Sequence, residues 1–567
     1  MKSNSIYRLA ESTLVEPLVN CWSAWPYLIA PAPASLHLSR YQLPLLQSYL
    51  DNPALHATSR ELSLAGGAFV NLPVESASEV AALADSSRKN LRQNLELAQS
   101  ILEFQQWLVA NASGESLVPC YQRMPAPLRG YVELVYDYCN RPSLRLLENL
   151  LYRSHYYNPS LQTLRLSRLD RDDSRPFILN TPRLMRADQI DWQVPFDAPQ
   201  IDQLFMLETQ PQSFDSICQL LGLNGQSRQL LAPLLTDRPP APVEKWRQDS
   251  VRIRYFGHAC LLIERQGISI LTDPLVAVVP AQGGLARFSY SDLPDEIDYA
   301  LITHNHLDHN SLETLLRLRH KIKCLVVPKS WGILYGDMSL KLLAHRLGFR
   351  NVSELSELEN LQFPGGEITA IPFLGEHSDL AHGKTGYVIR MEQRQLLIGA
   401  DSDCLDPQIY RNVRQCLGRI DTVFLGTESV GAPLSWINGP LLPQWPSPEA
   451  EESRRQHGCD AGRAIEILKT LGANRLYNYA MGLEPWLEYL LGLGLTESSP
   501  QWRESEKLLA AARASGLIAA ERFYGKTEMV LDDAGFAEES FLSVTAAPQL
   551  LEDHGINAQA EFVFDLD

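Results

Sequence analysis

Six consecutive residues near the middle of the chain, His304-Asn305-His306-Leu307-Asp308-His309, combine three imidazoles with one carboxylate. Imidazole nitrogens and carboxylate oxygens are common ligands of transition metals. Burying four such groups is costly unless they are paired or bound to a metal. The alternate residues His304 and His306 can face one metal ion, while Asp308 and His309 face a neighbouring one. The spacing therefore predicts a metal site rather than a polar surface loop.

Three acidic segments further along the chain each follow a short apolar run. They are Gly375-Glu376-His377-Ser378-Asp379, Gly399-Ala400-Asp401-Ser402-Asp403 and Gly426-Thr427-Glu428-Ser429. Carboxylate oxygens mixed with imidazoles suit iron or manganese better than an all-imidazole zinc pocket does. Four carboxylates would also offset the charge of two metal ions. Spacing alone does not choose between Glu376 and His377 as a ligand.

Short strands and helices must position these groups. Residues 251–256 alternate like a strand, and a helical pattern over residues 312–319 follows the histidine string, with Asn310 or Ser311 able to cap it. Further strands are predicted at residues 268–271, 299–302, 324–327, 368–371, 395–398 and 422–425. Each leads into a polar or glycine-containing segment, which is typical of a layered α/β protein with its chemistry at strand ends.

The chain divides at a proline-rich segment. Residues 236–245 hold three prolines among polar residues, a composition that suits a semi-rigid linker. Before it, a helical pattern over residues 80–106 mixes with shorter strand-like pieces. We therefore expect an N-terminal accessory domain at residues 1–235, a linker at 236–250 and a catalytic domain at 251–567.

Composition narrows the class of protein. The 567 residues include 50 Lys and Arg against 67 Asp and Glu, a net charge of −17, which argues against a general nucleic-acid binder. A hydrophobic fraction of 45% excludes a largely disordered chain. No apolar stretch reaches the roughly 18 residues of a membrane span, and the first residues lack the apolar core of a signal peptide. Nine dispersed cysteines without a Cys-x-x-Cys pair indicate a reducing, cytoplasmic setting.

The His-x-His-x-Asp-His string resembles the signature of the metallo-β-lactamase fold, and Gly257-His258 and Leu271-Thr272-Asp273-Pro274 extend the match. This resemblance implies that Asp273 orients a ligand histidine, although a turn former before proline is an equal alternative. His258 is expected near the pocket, with a core histidine as the alternative. Where the superfamily's hydrolases carry a last ligand histidine, this chain has Tyr477-Asn478-Tyr479-Ala480-Met481. That departure weakens a hydrolase interpretation.

A narrower family carries most of these strings. The chain resembles the CmlA-type diiron β-hydroxylases of chloramphenicol biosynthesis and their relatives in peptide antibiotic pathways. The resemblance rests on the histidine string with Leu301-Ile302-Thr303 before it, on Pro372-Phe373-Leu374-Gly375-Glu376-His377, on Ser435-Trp436-Ile437-Asn438-Gly439-Pro440 and on Ala480-Met481-Gly482-Leu483-Glu484-Pro485-Trp486. It implies an α/β fold in which a C-terminal metallo-β-lactamase-like αββα sandwich follows an N-terminal mixed α/β accessory domain.

The resemblance also implies a ligand set. His304, His306 and Glu376 would hold one iron ion, Asp308 and His309 the second, with Asp401 bridging and Glu428 as an extra carboxylate. No catalytic residue is expected beyond these ligands. Acids just behind them would be Asp403 and Glu484, and His377 would lie beside them. Trp436 and Trp486 are expected in loops around the pocket, with core packing as the favoured alternative.

The function that the resemblance implies is O₂-dependent hydroxylation at the β-carbon of an amino acid. The substrate would be a thioester on the phosphopantetheine arm of a nonribosomal peptide synthetase carrier (thiolation) domain. The cofactors would be two iron ions, O₂ and an external electron donor, and the protein would be a homodimer. The basic segment 317–323 fits carrier docking, although a solvated helix C-terminus is favoured.

Two rival functions remain at this point. A dinuclear zinc hydrolase, such as a lactonase, thioesterase or phosphodiesterase, would use a metal-activated water. The missing last histidine and the glutamates at 376 and 428 argue against it. A non-catalytic scaffold with a decayed metal site is disfavoured by the complete histidine string.

Overall fold

The computed structural model describes residues 5–61, 67–137, 139–330, 337–375, 383–492 and 494–531. Its N-terminal part contains three small sheets with strand orders β8-β1-β9, β3-β2-β6-β7 and β4-β5. The strands are β1 (Ile6–Leu9), β2 (Thr13–Val19), β3 (Trp22–Ser23), β4 (Val132–Tyr136), β5 (Pro142–Leu146), β6 (Gln162–Arg168), β7 (Ile190–Gln193), β8 (Gln212–Ser213) and β9 (Leu235–Thr236).

Ten α-helices surround these sheets in the described N-terminal residues. They are α1 (Pro26–Ile29), α2 (Pro31–His37), α3 (Leu43–Asp51), α4 (Pro53–Glu61), α5 (Ala77–Asn90), α6 (Arg92–Asn111), α7 (Glu148–Leu151), α8 (Gln200–Met206), α9 (Phe214–Leu220) and α10 (Ser227–Leu231). A π-helical turn, Leu38–Gln42, joins α2 to α3. The single helix predicted over residues 80–106 is two helices, because the chain leaves helical geometry at Leu91.

The described residues of the C-terminal part form two seven-stranded sheets, ordered β15-β14-β13-β12-β11-β10-β23 and β16-β17-β18-β19-β20-β21-β22. The strands are β10 (Val251–Gly257), β11 (Cys260–Arg265), β12 (Ile268–Thr272), β13 (Ile297–Leu301), β14 (Ile322–Pro328), β15 (Val352–Leu355), β16 (Asn360–Phe363), β17 (Gly366–Ile371), β18 (Gly386–Met391), β19 (Arg394–Ile398), β20 (Thr422–Leu425), β21 (Arg475–Asn478), β22 (Ala519–Arg522) and β23 (Thr527–Leu531).

Helices α11 (Leu312–Leu318) and α12 (Leu340–Arg346) cover the outer face of the first sheet, and α13 (Pro407–Leu417), α15 (Ala461–Leu471) and α17 (Pro500–Ala514) cover that of the second. Two shorter helices, α14 (Pro448–Ser453) and α16 (Glu488–Leu491), lie in the connecting segments. The inner faces pack on each other through side chains such as Ile253, Tyr255, Phe424 and Tyr477. This layering confirms the predicted αββα sandwich beside a mixed α/β N-terminal part.

The strands that the sequence predicted after residue 250 are all present, and so is the helix after the histidine string, which Ser311 caps by accepting a hydrogen bond from the Thr314 amide. Short apolar runs of this kind are reliable indicators of strands, because each strand is buried on both faces of its sheet. Residues 237–250 contain no helix or strand. All nine cysteines are free.

The N-terminal part packs against the helix layer of the first sheet, and the two share one continuous apolar core. Buried arginines reinforce this contact. Arg317 donates to Glu208 at 2.6 Å and Arg319 donates to Asp202 at 2.8 Å. Both interpretations of the basic segment 317–323 are therefore wrong for these two side chains, which are neither solvated nor available to dock a partner.

No helix among the described residues combines the length and apolar character that crossing a bilayer requires.

Candidate metal centre

The residues of the histidine string form a tight turn between β13 and α11. The amides of His309 and Asn310 both donate to the His306 carbonyl, at 3.2 and 2.8 Å. This turn sits at the carboxyl end of β13, which runs parallel to β12. The carboxyl ends of parallel strands meet at one edge of a sheet, so His258 after β10 and Asp273 after β12 reach the same place.

The second sheet supplies the carboxylates at the facing edge. Strands β19, β20 and β21 run parallel. Asp401 follows the first of them and Glu428 the second. The edge where the two sheets meet therefore collects the predicted groups from separate parts of the chain.

Among the described residues, two sets of side chains could each hold a metal ion: His304, His309 and Asp401, and His258, Asp308 and His309. Within each set the potential ligand atoms lie within 4.8 Å of one another. His309 Nε2 lies 3.2 Å from Asp401 Oδ2, and His304 Nε2 lies 3.7 Å from the same oxygen. His258 Nε2 lies 3.0 Å from Asp308 Oδ2 and 3.1 Å from His309 Nε2.

His306 is adjacent, with its ring centroid 4.7 Å from that of His304. Glu376 and His377 lie outside the described residues, so their predicted roles stay predictions. His258 was expected near the pocket, and its ring lies within reach of two predicted ligands. Because His258 is far from Asp308 and His309 in the sequence, no local pattern indicated so close a contact.

A buried carboxylate orients two of the histidines. Asp273 is fully buried and accepts from the Thr303 amide at 2.7 Å, the Thr303 hydroxyl at 2.8 Å and His309 Nδ1 at 2.9 Å. Since the Thr303 hydroxyl donates to Asp273, it accepts from His304 Nδ1, which lies 3.0 Å away. Both Nε2 atoms are thereby left to face Asp401. A role for Asp273 as a turn former before Pro274 does not by itself explain these contacts.

The electrostatics of the cluster fit a cationic occupant. Burial raises the pKa of Glu428, and the nearby Asp401 and Asp308 raise it further above the usual range. Burial lowers the pKa of His309, but Asp401, Asp308 and Asp273 outweigh burial and raise it. So many carboxylates around so few cations stay ionised together only when positive charge is added, and bound metal ions would supply it.

Four non-glycine residues at this edge have left-handed backbone conformations: His258, Asp273, Ala400 and Ala480, with φ between 34° and 52°. Such conformations are strained for residues with a Cβ and concentrate at functional sites. Here each one turns the chain sharply just after a strand. The turn at Ala400 precedes Asp401, and the amide of Ala480 donates to the His258 carbonyl at 2.9 Å.

The other predicted acids lie further from the cluster. Asp403 forms an ion pair with Arg463 at 2.6 Å and accepts from the Cys404 amide. Glu484 is buried and accepts a hydrogen bond from the Tyr255 hydroxyl. Burial raises the pKa of Glu484, while that hydrogen bond and His258 oppose the shift. Glu484 is therefore close enough to His258 to interact with its charge, as expected of an acid next to the ligands.

A cavity opens beside the cluster. Its lining includes His258, His306, Asp308, Asp401 and Glu428 together with apolar side chains. Trp436 lines it and packs against Phe177, with ring centroids 5.7 Å apart. Trp486 instead packs beneath Gly257 and against Arg287, whose guanidinium lies 4.0 Å from the ring centroid.

The family resemblance implied that the N-terminal part helps to shape the substrate channel, but sequence reasoning did not single out the residues that do so. Phe177 and Leu179 form part of its wall. They lie in a stretch without helix or strand, about 125 residues before the histidine string. No local pattern marks residues of this kind, because their position depends on how the two parts of the chain pack.

Asp273→Asn is expected to weaken metal binding by about 10- to 100-fold, the usual effect of losing a partner that orients a ligand histidine. Asparagine cannot accept from all three donors without presenting its amide to one of them. The measurement is metal retention against a graded chelator. Asp298→Asn is the matched control, since Asp298 accepts from the Ser269 amide and hydroxyl on the same sheet. Equal metal loss in both variants would contradict the role of Asp273.

Comparison with known proteins gives matches along the chain. Residues 8–239 match the family model for the diiron non-haem β-hydroxylase N-terminal domain, and residues 252–435 match a β-lactamase superfamily domain. The 4-amino-L-phenylalanyl-[CmlP-peptidyl-carrier-protein] 3-hydroxylase of Streptomyces venezuelae is 35% identical over 528 residues, which cover 91% of this chain and 98% of that protein.

One solved structure matches over a similar span, and a more distant relative matches over about half of the chain. The crystal structure of CmlA, a diiron β-hydroxylase from Streptomyces venezuelae, matches with a TM-score of 0.86 and 33% identity over 93% of this chain and 99% of that one. An N-acyl-phosphatidylethanolamine-hydrolyzing phospholipase D of Caenorhabditis elegans is 24% identical over 284 residues, 46% of this chain and 69% of that protein.

The facing sheets and the histidine–carboxylate cluster at their edge define a metal-dependent protein of the metallo-β-lactamase fold. Similarity along nearly the whole chain then narrows the class. The chain belongs to the CmlA-type diiron non-haem β-hydroxylase family. The hydroxylase interpretation is accordingly favoured over the zinc hydrolase alternative, and the site's cofactor is a pair of iron ions.

Proposed function

We propose that this protein is an O₂-dependent monooxygenase that hydroxylates the β-carbon of an amino acid held as a thioester on a nonribosomal peptide synthetase carrier domain. One observation of the site carries the proposal. The end of β21, where a hydrolase would present its last imidazole, presents Asn478, whose side chain donates to the Leu425 carbonyl at 2.8 Å. The neighbouring strand ends supply Asp401 and Glu428 instead.

The reaction would consume one O₂, two electrons and two protons for each C–H bond converted to C–OH, with water as the second product. Two iron ions supply the redox chemistry, which zinc lacks. The chain's own groups bind and orient. Asp273 fixes the ring nitrogens of His304 and His309, and the apolar wall that includes Phe177 and Trp436 limits the access of water.

The carrier-bound substrate is inferred from the relative, whose name specifies an aminoacyl group on a peptidyl carrier protein. A cavity between the two parts of the chain is compatible with a tethered substrate. An external protein or small molecule would donate the electrons. We propose the ligand set His304, His306, Glu376, Asp308, His309 and Asp401, with Glu428 as the extra carboxylate and His258 beside it.

We also propose the division into residues 1–235, 236–250 and 251–567, and a homodimer formed through the first of these. The division is supported by the end of β9 at Thr236 and the start of β10 at Val251. Sedimentation of the full chain measures the oligomeric state.

Iron-loaded protein is expected to convert carrier-bound amino acids to β-hydroxy products in the presence of O₂ and a reductant. With ¹⁸O₂, mass spectrometry of the released amino acid should detect one heavy oxygen atom per product. The same protein loaded with zinc is the control and should give no hydroxylation. Release of free amino acid by zinc-loaded protein without O₂ would contradict the proposal and favour the hydrolase alternative.

A further inference from the structure

Two glutamines line the cavity, outside the proposed ligand set. Gln456 is 4% exposed and Gln501 is 6% exposed. Gln456 Nε2 and Gln501 Oε1 are buried and have no hydrogen-bond partner among the described residues. An unpaired buried amide atom costs the full penalty of losing its water, so such atoms call for a partner that binds later.

The orientation of Gln501 follows from its neighbour. Its Nε2 donates to the Val430 carbonyl at 2.7 Å. Because only the amide nitrogen can donate, the side-chain oxygen must point the other way. Gln501 therefore offers a hydrogen-bond acceptor.

The backbone holds Gln456 at the same end of the cavity. Its amide donates to the Ala432 carbonyl at 2.9 Å, and a Cβ on Gly431 would overlap the Gln456 carbonyl oxygen. Only Gly431 separates Val430 from Ala432, and a two-residue step spans at most about 7 Å. The two glutamines thus approach one short segment, which begins two residues after Glu428.

The rest of this wall is apolar, with Trp436, Met481, Leu491 and Leu495 among its side chains. A large apolar side chain of a substrate would fill this space, and the side-chain amides of Gln456 and Gln501 would lie at one end of it. We propose that Gln456 and Gln501 form a specificity subsite for a hydrogen-bonding substituent that donates to the Gln501 oxygen and pairs with the Gln456 amide, such as a hydroxyl or an aromatic amine. This inference rests on the proposed function, because it places the side chain of the substrate in this cavity.

Charge and pairing exclude the simpler substituents. A carboxylate would meet the Gln456 donor but not the Gln501 acceptor, and it would lie near the acidic cluster. A hydrogen or methyl group would leave both amides unpaired, and sites built for hydrogen bonding reject such analogues strongly.

The test uses iron-loaded full-length protein and ligand-observed NMR titration with toluene, p-cresol and p-toluidine. We expect p-cresol or p-toluidine to bind at least tenfold more tightly than toluene. Gln456→Met and Gln501→Met should each reduce that preference to about threefold or less. Gln395→Met is the matched control, because Gln395 Nε2 donates to the Leu417 carbonyl away from the cavity. It should keep the full preference.

A parallel measurement compares kcat/KM for carrier-bound tyrosine and phenylalanine in the same proteins. Gln456→Met breaks no side-chain hydrogen bond of the described residues, so it tests the subsite even if Gln501→Met unfolds. Equal binding of the three probes, or a preference that survives Gln456→Met, would overturn the subsite. A protein that keeps the probe preference but hydroxylates no carrier-bound amino acid would contradict the proposed function and leave the subsite supported.

Discussion

Asp401→Asn is expected to release iron and abolish hydroxylation. Asp401 Oδ2 lies 3.2 Å from His309 Nε2 and 3.7 Å from His304 Nε2, so one carboxylate contacts two proposed ligands. Asparagine keeps the shape but removes the charge and one of the two oxygens. We expect iron affinity to fall by more than about 100-fold, beyond the effect of losing an orienting partner. Iron content after dialysis against a chelator, together with turnover, measures the result.

Asp403→Asn is the matched control for Asp401→Asn. Both aspartates are buried and leave the same strand, but Asp403 pairs with Arg463 and accepts from the Cys404 amide. This variant should keep its iron and unfold at lower denaturant concentration. If Asp403→Asn lost iron as readily as Asp401→Asn, the assignment of Asp401 as the ligand would be wrong.

The local part of this site could be predicted from the sequence. His304 and Asp308 belong to one short string, and their type and spacing indicate metal binding without knowledge of the fold. Asp401 and Glu428 could be singled out because each follows a buried strand, and strand ends collect at one edge. The choice of Asp401 over Asp403 came from the family resemblance alone, because the turn at Ala400 that separates their positions has no signal in the sequence.

The non-local part could not be predicted. Arg317 and Arg319 belong to a basic run that is typical of a solvated helix end, yet each pairs with an acid more than 100 residues earlier in the chain. Phe177 enters the cavity for the same reason. Such contacts arise when the N-terminal and C-terminal parts of the chain pack together. The sequence pattern of one part does not indicate which residues of the other it will contact.

The same packing gives the largest stability effect that we expect. Arg175, from the N-terminal part, donates to Glu313 of α11 at 2.7 Å and lies 3.3 Å from Glu16. Its guanidinium lies 3.6 Å from the ring centroid of Tyr489, at the start of the helix whose Leu490 lines the cavity. One buried cation therefore connects the N-terminal part to the helix that follows the metal ligands and to the wall of the cavity.

Arg175→Met should lower the free energy of unfolding by about 3–5 kcal/mol, because it leaves the buried Glu313 without its ion-pair partner and Glu16 with Arg183 alone. Urea unfolding measures it. Arg186→Met is the control: Arg186 pairs with Asp188 at 3.0 Å, but both side chains are about two-thirds exposed, so its loss should cost less than about 1 kcal/mol. Similar losses in the two variants would show that the buried network contributes no more than a surface pair.

The pH dependence of unfolding gives a second measure of the network. Burial raises the pKa of Glu16, but Arg183 and Arg175 outweigh burial and lower it from 4.5 to about 2. A carboxyl with a lowered pKa in the folded state stabilises the protein above its unfolded pKa, and this stability is lost as the pH falls. Glu16 should therefore contribute about 3 kcal/mol near neutral pH, lost progressively between about pH 4.5 and 2. In Arg175→Met one of the two cations is gone, so less stability remains to be lost in that range. An unchanged pH profile in the variant would mean that Arg183 alone holds the Glu16 charge.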